Sequence, residues 1–159
     1  HLEGDTPVVE FERLAEDCIG EVMGHVTWSA QGAMAPDQHG KEAAWLHLEA
    51  KATVPLTCQR CLHPVPTELL IAQDFRFVAD EATALAEDDT SEEDLLVLED
   101  SFDLMALVED ELLMSLPLVP MHPACLSEQA PTLKEEAALF AESKPNPFAV
   151  LASLKTRKH

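Results

Sequence analysis

Basic residues are scarce in this chain: ten Lys and Arg stand against thirty Asp and Glu, a formal net charge of −20. Phosphate backbones are gripped by cations that release condensed counterions, so this balance argues against a broad nucleic-acid groove. It favours a basic protein as partner, or a plain solvated acidic surface. Aromatics are equally thin, at 5% with two Trp, six Phe and no Tyr. Little is left on which bases can stack. Four cysteines in 159 residues do not make a secreted disulfide scaffold. No apolar run approaches the ~20 residues that span a bilayer; the stretch from Leu112 to Met121 is short and broken by Pro117 and Pro120. With no secretory leader visible, the expectation is a cytoplasmic protein with no membrane and no small-molecule substrate. The chain opens on His1 rather than Met, and its natural front end is expected to differ.

What is present suffices for a folded domain. Hydrophobic residues make up 47%, and a chain of this length buries roughly two-thirds of its unfolded surface. Val22, Gly24, Val26, Trp28 and Ala30 share one parity, the mark of a half-buried strand beginning near Gly20. Met34 to Gly40, with Pro36, Asp37 and Gly40, reads as a loop. A second strand runs from about Ala43 to Val54, with Leu46, Leu48, Ala50, Ala52 and Val54 on one face; Pro55, lacking a donor, is expected to end it. A third covers about Thr67 to Ala79. Short loops between long strands favour an antiparallel meander.

Composition then shifts. From Phe77 to Leu133 there is no Lys or Arg, yet fifteen of the acids fall there. Residues 80–94 read as a mobile acidic linker, and Leu95 to Leu98 as a short strand. The clearest helix is Asp103 to Leu116, capped by Asp103 or Ser101 and stopped by Pro117. Asn146-Pro147 opens a second, with Phe148, Leu151, Ala152 and Lys155 at helical spacing. The expected fold is α+β: an antiparallel β-sheet meander with one main helix packed on it, the acidic linker and a C-terminal helix, all in a single domain.

Cys58-x-x-Cys61 is the sharpest chemical motif. Two thiolates at this spacing on a turn can share one Zn²⁺, and His122-x-x-Cys125 offers the second pair, with His63 a rival for one position. Four protein ligands leave no open coordination position, so such a zinc would be structural. The alternative is small buried thiols at a strand end. Cys18 reads as buried and inert. A hydrolytic reading of Ser115 and His122 lacks a nucleophile elbow. Glu109, Asp110 and Glu111 point around their helix rather than at one metal; they form either a solvated face or a receptor for a basic tail. Arg60 and Arg76, with Lys155, Arg157 and Lys158, are the candidate RNA contacts.

Three passages, taken together, resemble the YceD family. One is Thr53-Val54-Pro55-Leu56-Thr57-Cys58-Gln59-Arg60-Cys61-Leu62 with Pro64-Val65. Another is Asp103-Leu104 with Val108-Glu109-Asp110-Glu111-Leu112-Leu113 running to Leu116-Pro117-Leu118-Val119-Pro120. The last is Lys144-Pro145-Asn146-Pro147-Phe148 through Lys155, part of a C-terminal motif at 144–159. The resemblance covers the chain from about Gly20 onward. It implies a non-enzymatic factor supporting accumulation of large-subunit ribosomal RNA. A basic ribosomal protein or the large-subunit rRNA precursor would be its partner. A zinc-stabilised RNA-binding module and an RNA-processing enzyme remain the alternatives.

Overall fold

The longest alternating run sets the architecture. In the computed structural model, which describes residues 1–99 and 101–125, strand β3 (Glu42–Thr57) buries Leu46, Leu48, Ala50, Ala52, Val54 and Leu56 and exposes His47, Glu49, Lys51 and Thr53. It lies at the centre of a five-stranded sheet, in the order β1-β2-β3-β4-β5. The other strands are β1 (Leu2–Pro7), β2 (His25–Pro36), β4 (Pro64–Val78) and β5 (Asp94–Val97). Neighbours are antiparallel from β1 to β4, as a meander requires, whereas β5 runs parallel to β4.

Local departures from the sequence reading have local causes. Strand β2 starts at His25 because Gly20 and Gly24 adopt positive φ, +79° and +155°, which breaks the extended chain before it. At its far end the strand continues to Pro36, paired with Glu42, through residues assigned to a loop. Pro55 does not end β3, because it stands opposite Pro66 of β4. Two residues without an amide hydrogen facing each other leave no donor unmet on the partner strand. Strand β1, with Gly4 and Pro7 and no alternation, is an edge strand unforeseen from sequence; Trp28 packs over Gly4, where a Cβ would lie 2.6 Å from its ring.

One face of the sheet carries the core. Helix α3 (Leu104–Met114) buries Leu107, Val108 and Leu112, and α1 (Glu12–Asp17) buries Leu14 beside Val8 and Phe11. Asp103 caps α3 by accepting from the amides of Met105 and Ala106, the role its position implied. The opposite face is polar, with His47 between Asp74 and Glu49 and an ion pair from Lys51 to Glu68. No helix of the described residues is long and apolar enough to cross a membrane.

The segment expected to be a linker, 80–94, carries structure of its own. Asp80 accepts from the Thr83 amide and hydroxyl, both at 2.8 Å, and starts helix α2 (Glu81–Glu87). A short 3₁₀ turn and β5 follow. Parallel strands need a crossover of about a dozen residues, and this acidic stretch is that crossover. Its anchor is Arg76, 2% exposed on β4. The guanidinium pairs with Glu87 at 2.9 Å and Glu93 at 2.5 Å and donates to Ser91 Oγ at 3.0 Å. Arg76 is therefore not the RNA contact expected of it: burial and these partners remove it from any surface. Phe77 adds an edge-to-face contact with Phe102, ring centroids 5.3 Å apart. The segment 134–143, the expected C-terminal helix and its residues Asn146, Pro147, Phe148, Leu151 and Lys155 lie outside the described residues.

Burial alone would raise the Glu93 carboxyl, but the hydrogen bond and charge of Arg76 hold it below the ordinary carboxylate range. A lowered folded value means stabilisation that is present above the unfolded pKa and lost as pH falls through the folded one. Arg76→Ala leaves two carboxylates facing a vacant site. It is expected to cost about 3 kcal/mol in denaturant unfolding, the low end for a broken buried pair because both acids keep some solvent. Amide exchange should accelerate first across 81–97. Unchanged stability and exchange would show that the pairs do not anchor the crossover.

Candidate metal centre

Hairpin β3–β4 closes through a tight turn, and the turn collects the thiols. The Cys58 amide donates to the His63 carbonyl at 3.0 Å, and the Leu62 amide to the Cys58 carbonyl at 2.9 Å. Leu62 takes φ +61°, the left-handed conformation that a β-carbon disfavours. This reverses the chain so that Cys61 comes back beside Cys58. The loop after α3 is tied to the same turn: the Gln59 amide donates to the Pro120 carbonyl at 2.9 Å, which brings His122 alongside.

Cys58, Cys61, His122 and Cys125 then offer four ligand atoms that all lie within 4.8 Å of one another. Cys58 and Cys125 are buried; Cys61 and His122 are half-buried. His122 Nδ1 is 3.4 Å from Cys61 Sγ, while Nε2 is 3.0 Å from the Pro64 carbonyl. A carbonyl can only accept, so Nε2 carries the hydrogen and Nδ1 presents its lone pair to the cluster. Metal-bound histidines are oriented in this way, with the far nitrogen donating to a fixed oxygen. Burial opposes ionisation of Cys58, but the backbone amides of Cys61, His122 and Arg60 and the His122 ring outweigh it, bringing the thiol down to about 5. A thiolate poised among amides, two further thiols and an imidazole lone pair is a donor set for a metal ion.

Other sequence candidates fall elsewhere. His63 is exposed and turns Nδ1 to the Cys61 carbonyl at 2.8 Å, outside the four-residue cluster. Cys18 is half-buried, donates to the Leu14 carbonyl and has its thiol pushed up by burial and then by Asp17. Ser115 donates its hydroxyl to the Leu112 carbonyl, while both ring nitrogens of His122 face the turn. Arg60 is exposed at the turn tip.

The acidic triplet divides. Glu109 accepts from the Arg13 amide at 2.8 Å and from its guanidinium at 2.9 Å, so it caps the start of α1 from α3. Asp110 meets the same guanidinium at 2.6 Å. Glu111 is half-buried, its carboxyl raised by burial and then by Asp94 and Asp110. Two of the three therefore have a partner inside the fold, which a pair some 96 residues apart gave no local sign of.

Comparison with known proteins agrees with the motif resemblance. Residues 46–155 match the family described as "Large ribosomal RNA subunit accumulation protein YceD", a span that includes all four cluster residues. A protein of that description from Haemophilus influenzae is 34% identical over 157 residues, covering 93% of this chain and 83% of its own length. No solved structure matches.

Proposed function

This chain belongs to the YceD family, and on that footing we propose that it supports accumulation of large-subunit ribosomal RNA by binding, without catalysing a reaction. The observation that carries the reading is the family match over most of the chain, from Leu46 to Lys155. Charge favours a basic ribosomal protein over RNA as the direct partner. The formal charge is −20, and Arg13, Lys51 and Arg76 are each held by carboxylates within the fold. Phosphate contacts need cations that are not already spent in this way. Carboxylate-rich surfaces speed encounter with Lys/Arg-rich proteins and fix their register.

The cluster at the hairpin turn is best read as a structural zinc site. Three thiolates and one imidazole form a closed Cys₃His set, with no position left for water or substrate. Tetrahedral zinc at ordinary bond lengths places a sulfur and a nitrogen about 3.5 Å apart, close to the 3.4 Å between Cys61 and His122. In this reading the zinc staples the β3–β4 turn to the loop after α3. A zinc-stabilised module that binds RNA directly shares this site; it differs in predicting RNA affinity that falls steeply with salt.

Zinc analysis of the purified chain should find one ion per molecule. Cys61→Ser should lose it and lower Tm by about 6 °C, roughly 2 kcal/mol for a chain of this size. A wild-type chain that takes up no zinc when supplied with it would sink the zinc reading. The functional reading is tested in the host organism: cells lacking the protein should hold less large-subunit rRNA relative to small-subunit rRNA, and the wild-type gene should restore the ratio. An unchanged ratio would contradict it.

A further inference from the structure

Beside β5 lies a groove of about 500 Å³ between α2 and α3. Its walls include Leu85, 72% exposed, and Phe102, 42% exposed, and its floor is Leu95, Leu96 and Val97. Successive residues of a strand point to opposite faces. A groove that meets three in a row therefore runs along the strand's edge rather than over one face. Among the described residues that edge is the end of the sheet, since β5 is the last strand.

The rim is acidic. Among the described residues, no Lys, Arg or His lines the groove, whereas five carboxylates do. Asp103 is occupied in capping α3 and Asp110 in holding Arg13. The exposed rim charge accordingly falls to Glu81, Asp88 and Glu99. Apolar floor, sheet edge and negative rim together specify an occupant: an extended segment alternating apolar with basic side chains. Backbone pairing would supply affinity and alternate side chains the selectivity, as when a peptide adds to a sheet edge.

We propose that this groove receives a Lys/Arg-rich extended segment of a ribosomal protein, added to the sheet beside β5. The inference rests on the reading of the chain as a protein-binding factor in rRNA accumulation and names where that binding occurs. It moves the contact from the triplet 109–111, where Arg13 already sits, to the crossover held by Arg76.

Two assays decide it, both with the full chain and with Leu85→Arg/Asp88→Arg, exposed positions on α2 and at the start of the 3₁₀ turn after it. In the first, NMR follows titration with a synthetic heptapeptide alternating valine with lysine and arginine, and with heptalysine as control. The alternating peptide should shift the amides of 95–97 and bind the wild type at least tenfold more tightly than the variant, and more tightly than heptalysine binds. Equal affinity for wild type and variant, equal affinity of the two peptides, or shifts confined to other regions would overturn the proposal. In the second, the variant is introduced into host cells lacking the protein, and failure to restore large-subunit rRNA is the expected result. If the wild type restores it and the variant does so equally, the groove is excluded while the rRNA role stands. If the wild type itself changes nothing, the rRNA role falls, and the peptide titration alone decides the groove.

Discussion

Arg76 is a buried cation in a chain of formal charge −20, and its ion pairs with Glu87 and Glu93 turn a run of acids into part of the fold. An unpaired guanidinium at 2% exposure would carry a desolvation penalty of several kcal/mol. Glu87, midway along the crossover, and Glu93, at its end, meet that requirement, with Ser91 between them. Once the crossover is pinned, Asp94 to Val97 is delivered beside β4 and the sheet gains its parallel edge. The groove beside β5 is formed along that edge. The same economy recurs at the other end of the core, where Arg13 joins α1 to α3 through Glu109 and Asp110. Among the described residues, Arg76 and Arg13 thus serve as fasteners between elements of the fold.

The second fastener is chemical. The turn at Cys58 to Leu62, the carbonyls of Pro64 and Pro120, and the ring of His122 form one small constellation joining the hairpin tip to the loop after α3. Its donors are held by the fold: amides face Cys58, and the His122 ring is oriented by the Pro64 carbonyl. Ligands held in this way cost less to order when a metal binds.

Much of this was legible in the residues, and the illegible part has a common cause. The alternation from Leu46 to Val54 gave β3 and its buried face, and Asp103 gave the start of α3. The spacings Cys58-x-x-Cys61 and His122-x-x-Cys125 named four residues that the fold brings together. Periodicity and ligand spacing are local patterns, written within a few residues. Strand β1, the parallel placement of β5, and the partners of Arg76 and Arg13 depend on contacts between distant segments. A charged side chain within a strand reads as solvent-facing until its partners are known, and Glu109 reads as a surface acid until Arg13 arrives. Low hydrophobicity from Asp80 to Asp94 suggested a linker because composition registers carboxylates but not the cation awaiting them.

On the proposed function, the chain engages the ribosome through a basic protein rather than through nucleic acid. The most direct test is recovery of the chain from its own host in mild salt, with half of the material treated with ribonuclease before washing. On the proposed reading, a basic ribosomal protein stays bound in near-equal amount in both halves. Association that disappears with ribonuclease, leaving no protein partner behind, would contradict it.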